Sequence, residues 1–201
     1  MALRSSRKTW GGVARGLHWA SAALIIFGLT HGYWMANLLQ PRTLRLPHYV
    51  WHSTIFLYFG LLLALRIVWR LMDETPDPPR DSNSLEQGAA HVTHLALYSL
   101  MIALLVTGYM DWSAFPDRFD PARAAQMEIS LLGGFKVPAL HSVANRDVFK
   151  FWEGAHMYLA WSLAALVVLH VLAALRHHVV KGNDVMHRML TGRSTDTRSG
   201  V

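Results

Sequence analysis

The residues best suited to chemistry here are histidines: there are twelve in 201 residues, and no cysteine. The cysteine count rules out disulfides, Cys-ligated zinc, iron–sulfur clusters and the C-x-x-C-H attachment of c-type haem. Any metal must therefore be held by His, carboxylate or Met. His156 and His170 are the most informative pair, because both lie in one long apolar segment. Fourteen residues turn an ideal helix by roughly 1400°, about 40° short of four revolutions, and advance it by roughly 21 Å. The two imidazoles thus share nearly one face but stand too far apart for a single metal, so two stacked sites are implied. Ionisable groups inside a membrane are costly and mark function, and neutral imidazole is the commonest metal ligand.

The elements that must carry these histidines are membrane helices. The chain is 52% hydrophobic and 16% charged, against about 25% charged in a soluble domain. A transmembrane helix needs roughly 20 mainly apolar residues. Four segments qualify, at about 13–39, 48–71, 89–112 and 151–180, followed by a polar tail over 181–201. The fold class expected is all-α, an integral membrane four-helix bundle forming one domain over 1–201. Pro41 and Pro47 break the chain between the first two helices, and Pro76, Pro78 and Pro79 stop the second. The connection from Ser113 to Lys150 is too long for a plain turn. Its stretch Pro121 to Leu132, with apolar Ala124, Ala125, Met127, Leu131 and Leu132, is expected to form a short interfacial helix. Arg4, Arg7 and Lys8 would suit a cleaved signal peptide, but the apolar stretch behind them is too long and contains His18 and His31.

Lys and Arg set the orientation. Twelve fall on one side: Arg4, Arg7, Lys8, Arg15, Arg66, Arg70, Arg80, Arg176, Lys181, Arg188, Arg193 and Arg198. The other seven occupy the first and third connections, so both termini are expected in the cytoplasm. The net charge of +6 is explained by these ends of apolar blocks; no basic stripe with interleaved aromatics points to nucleic acid. With that orientation His156 lies near the outer surface and His170 near the inner one. His18, at the inner start of the first helix, matches His170 in depth, and His52, at the outer start of the second, matches His156. Two bis-histidine sites between facing helices follow, an arrangement that holds b-type haem. Zinc fits less well, because two His leave a tetrahedral ion short of ligands.

Several motifs now carry a resemblance. Arg15-Gly16-Leu17-His18-Trp19 opens the first helix and His52 the second, which closes with Arg66-Ile67-Val68-Trp69-Arg70. Ala90-His91-Val92-Thr93-His94-Leu95-Ala96-Leu97-Tyr98 opens the third, and Val168-Leu169-His170 lies in the fourth. His177-His178 and the tail Asn183-Asp184-Val185-Met186-His187-Arg188-Met189-Leu190 complete the set. In this order and spacing the chain resembles the bacterial cytochrome b561 family, small four-helix di-haem proteins of the inner membrane. The resemblance implies two haem b groups per chain, with iron ligated by His18 with His170 and by His52 with His156.

Other residues ring these sites. His48, one turn before His52, is the rival ligand. His31 lies roughly 140° around the helix from His18 and is read as a packing or rim residue. His94, part of the resemblance, is left open between a haem propionate, a quinone and an interhelical hydrogen bond. Arg15, Arg66 and Arg70 satisfy the positive-inside pattern, and the planar fork of Arg also suits propionates. His141, His177, His178 and His187 are expected near the headgroups in solvent. Trp10, Trp34, Trp51, Trp112 and Trp152 are read as interfacial anchors.

Two bis-His sites leave no open coordination position, so oxygen activation is disfavoured and electron transfer remains. The expected function is one-electron exchange between a donor and the quinone pool in a respiratory setting. By the resemblance, that donor is superoxide and ubiquinone is a bound substrate. The alternative is a non-catalytic relay or anchor subunit for a partner dehydrogenase or hydrogenase. Expected partners are the lipid bilayer, a quinone and, in the second case, a redox protein.

Overall fold

The structure is a computed structural model that describes residues 2–41, 44–79, 81–115, 126–140 and 145–194. Among these the chain is helical: α1 (Gly12–Tyr33), α2 (Arg45–Met72), α3 (Ser84–Ala114), α4 (Arg146–Val179) and the short α5 (Val185–Thr191). α1 runs on into a π-helical turn, Trp34–Leu38. The first four are each long and apolar enough to cross a membrane. Few residues of these spans are buried by protein. Leu61, Leu65, Leu95, Val168 and Leu172 are exposed on them, as helices solvated by lipid require.

Three helices begin earlier than the apolar pattern predicts. α2 starts at Arg45 because Pro47 is tolerated in a first turn, where backbone N–H groups have no helical partner. α3 starts at Ser84 because Asn83 caps it: the Glu86 amide donates to Asn83 Oδ1 at 2.8 Å, and Glu86 Oε2 accepts from the Asn83 amide at 3.4 Å. This reciprocal pair is a capping box. Asn145 caps α4 in the same manner, accepting from the Asp147 amide at 2.8 Å.

The chain forms two compact units. The first comprises Met1–Ala23, Leu62–Tyr98 and Ala165–Val201; the second comprises Leu24–Leu61 and Ser99–Ala164. In the first, the polar tail is part of the fold. Arg188, on α5, is buried and donates to the carbonyls of Lys8 and Asp77 at 3.3 and 3.1 Å. Trp19 Nε1 donates to the Met189 carbonyl at 3.2 Å. Lys181 and Arg176 both pair with Glu86, at 2.6 and 3.0 Å. His178 is exposed as expected, but His177 and His187 are half-buried and bonded to Asn183 and to the Arg193 carbonyl.

In the second unit the long connection folds back on the helices. Ser130 and Lys136 form an antiparallel bridge, so Leu131 and Leu132 belong to a hairpin and not to the expected interfacial helix. The reason is Gly133-Gly134, with φ of 86° and 79°, a left-handed turn that a helix cannot continue through. Residues 121–125 of that expected helix, like Arg80 and His141, lie outside the described residues. Met127 and Ile129 pack on Trp112, whose Nε1 donates to the Met127 carbonyl at 3.2 Å. Trp112 is therefore a core residue, not an interfacial anchor.

Candidate functional site

Each unit brings two of the expected histidines together. In the first, His18 on α1 and His170 on α4 have ring centres 6.4 Å apart. In the second, His52 on α2 and His156 on α4 are also 6.4 Å apart. An imidazole nitrogen binds a metal at about 2 Å and lies about 1 Å from its own ring centre, so two imidazoles flanking one metal have centres roughly 6 Å apart. Both pairs match that separation. The ring of His48, the rival ligand, lies 5.6 Å from His31 and 5.0 Å from Trp34.

Around the first pair stand His94, Arg66 and Tyr98. His94 lies 5.6 Å from the ring of His170. Arg66 donates to Tyr98 Oη at 3.1 Å and to His18 Nδ1 at 2.9 Å; a guanidinium has no acceptor, so the imidazole must accept there. The other two candidate arginines have partners of their own. Arg15 donates to the Leu190 carbonyl at 3.0 Å, while Arg70 lies 5.4 Å over the Trp10 ring and bonds Thr75 Oγ1.

The second pair lines a cavity of about 1000 Å³, at the upper end of the usual range for cofactor sites. Its orientation comes from Thr107. The Thr107 hydroxyl donates to the Ala103 carbonyl at 2.9 Å and lies 3.1 Å from His156 Nδ1. A hydroxyl whose hydrogen is already given can only accept, which puts a hydrogen on Nδ1 and leaves the Nε2 lone pair for a metal. Small residues make the room. A Cβ on Gly108 would sit 3.1 Å from His156 Cε1, one on Gly32 3.5 Å from His52 Cε1, and one on Gly28 would collide with the Phe56 ring. Phe56 stacks on His52 at 4.7 Å. One turn beyond Thr107, buried Asp111 accepts from Tyr49 Oη at 2.7 Å.

Thr107, Gly108 and Asp111 are not among the residues that the sequence pattern marks as site candidates. Asp111 carried a signal, since an acid inside an apolar span is a site candidate. Thr107 carried none, because a membrane Thr commonly bonds its own helix, as this one also does. His31 was read as a rim or packing residue and packs against Phe27, Trp34, Trp51, His48 and His52.

The sequence model described as prokaryotic cytochrome b561 matches residues 9–192, a stretch that includes all four paired histidines. The chain belongs to that family. Cytochrome b561 homolog 2 of Escherichia coli (strain K12) is 29% identical over 196 residues, covering 98% of each chain. A protein of Yersinia pestis named probable superoxide oxidase CybB is 26% identical over 185 residues, covering 87% of this chain and 92% of its own. As a prokaryotic cytochrome b561 with four apolar spans, the chain is a multi-pass membrane cytochrome of the inner membrane, and the family implies haem b.

Proposed function

We propose that the chain is one di-haem domain that passes electrons from superoxide to the quinone pool, with a bis-histidine site in each compact unit. The observation that carries this reading is the pair of equal ring-centre separations, 6.4 Å at His18–His170 and 6.4 Å at His52–His156. Haem supplies reversible one-electron chemistry when bound. His18 with His170 and His52 with His156 would hold the two irons. Thr107 fixes the His156 tautomer, and apolar walls such as Leu104 and Leu105 exclude water. Arg66 would give its fork to a propionate, which would release His18 Nδ1 to carry a hydrogen; His94 lies close enough to His170 to support the same edge. Arg15 and Arg70, committed to the tail carbonyl and to Trp10 and Thr75, would hold the surroundings of that site in place.

The donor is proposed from the name of the Yersinia relative. Two superoxide anions would each give one electron and leave as dioxygen; with two protons, one quinone becomes one quinol. The positive-inside count supports cytoplasmic termini and a His52–His156 site toward the outer face. Stopped-flow mixing of the purified protein with enzymatically generated superoxide tests the reading. Rapid appearance of the reduced spectrum, abolished by superoxide dismutase, is expected. Reduction only by a partner dehydrogenase or hydrogenase would replace this reading with that of a relay subunit.

A further inference from the structure

The hairpin over 127–137 presents apolar side chains outward. Leu132 is 89% exposed and Phe135 64%, a pattern that would be a liability in water. What they face follows from where the hairpin is tied. The Leu132 amide donates to Tyr58 Oη at 2.8 Å, and Tyr58 is midway along the 28 residues of α2. An ideal helix of that length is roughly 42 Å long, so if centred it overhangs a 30 Å hydrocarbon layer by about 6 Å at each end. The Tyr58 side chain leans toward the N-terminus of α2 by about one turn, which leaves its hydroxyl roughly 8 Å inside the hydrocarbon boundary. The hairpin tip bonded to it lies at that depth.

We propose that this hairpin is a membrane-inserted element whose tip, Leu131 to Phe135, is solvated by lipid chains beside α2. Backbone entering lipid must bring its own hydrogen bonds, and this turn brings several. The Leu131 amide donates to the Phe135 carbonyl at 2.9 Å, the Gly134 amide to the Leu131 carbonyl at 3.1 Å, and the Val137 amide to the Ile129 carbonyl at 2.9 Å. The tip amide of Leu132 takes the Tyr58 hydroxyl. Gly133 and Gly134, both at positive φ, close the turn without adding polar side chains. The arms carry the only charges of the described hairpin, Glu128 and Lys136, paired at 2.6 Å and both well exposed. A paired acid and a long Lys stem suit the headgroup boundary above an inserted tip. On the inner side, Met127 and Ile129 bury against Trp112, so one face of the hairpin meets protein and the other meets lipid.

The absence of cysteine gives a direct test. Single cysteines at Leu132, Phe135, Leu61 and Glu74, spin-labelled in the haem-loaded protein in lipid nanodiscs, report collisions with oxygen and with a water-soluble nickel chelate. Leu61 is an exposed apolar residue of α2 and Glu74 an exposed polar residue of a connection; each variant is taken only if its haem spectrum equals the parent's. Oxygen-to-nickel ratios at Leu132 and Phe135 are expected to match Leu61 and to exceed Glu74 several-fold. Ratios at either position equal to that at Glu74 would place the tip in water and overturn the proposal.

Discussion

Replacing Thr107 by valine keeps the shape of the side chain and removes one acceptor. His156 Nδ1 then loses the hydroxyl 3.1 Å away in a buried site and is left with the Leu104 backbone as its partner. Loss of a hydrogen bond behind a metal-bound histidine weakens metal binding about 10–100-fold. Thr107→Val is therefore expected to speed haem loss from one site about 10–100-fold, with Thr107→Ser near the parent rate. Transfer of haem to an excess of apomyoglobin measures both rates in one experiment, as a fast and a slow phase of equal amplitude. The affected component should be the one that disappears in His52→Ala, since His52 and His156 are proposed to share it. Equal acceleration of both phases, or no acceleration, would show that Thr107 does not orient a haem ligand.

Other expectations concern pairing, charge and topology. His18→Ala and His170→Ala should remove the same spectral component, and His52→Ala and His156→Ala the other; His31→Ala and His48→Ala should leave both. If His18→Ala and His52→Ala abolish one common component, the pairing is wrong. Arg66→Gln removes the charge proposed to face a propionate and should lower the potential of the His18–His170 component alone, read by redox titration; an unchanged potential would remove Arg66 from that site. Cysteine at Ser142 should react with an impermeant thiol reagent from outside and cysteine at Ser199 should not, both positions lying outside the described residues; the reverse pattern would invert the proposed orientation.

His156 and His170 could be read as a same-face pair because helical periodicity is local, and their partners because a bilayer turns helix position into depth. Helix starts were missed where caps, not hydropathy, decide them: Asn83-x-x-Glu86 and Asn145 extend α3 and α4 beyond their apolar cores. Leu131-Leu132 counted toward a helix because composition outweighed Gly133-Gly134, whose left-handed φ makes a turn. The contacts of Tyr49 with Asp111 and of Thr107 with His156 join residues 62 and 49 apart. No local pattern encodes them. Trp112 was read as an anchor from its place near a helix end; its burial depends on Met127 and Ile129, which only the folded connection supplies.

The proposed function rests on two non-covalent haems held by two histidine pairs. Acidified organic solvent extraction with haem quantified per chain, alongside a reduced-minus-oxidised spectrum of the purified protein, tests it most directly. Two extractable b-type haems per chain are expected, both low-spin, with nothing left bound to a protein that has no cysteine. One haem per chain, or haem that resists extraction, would contradict it.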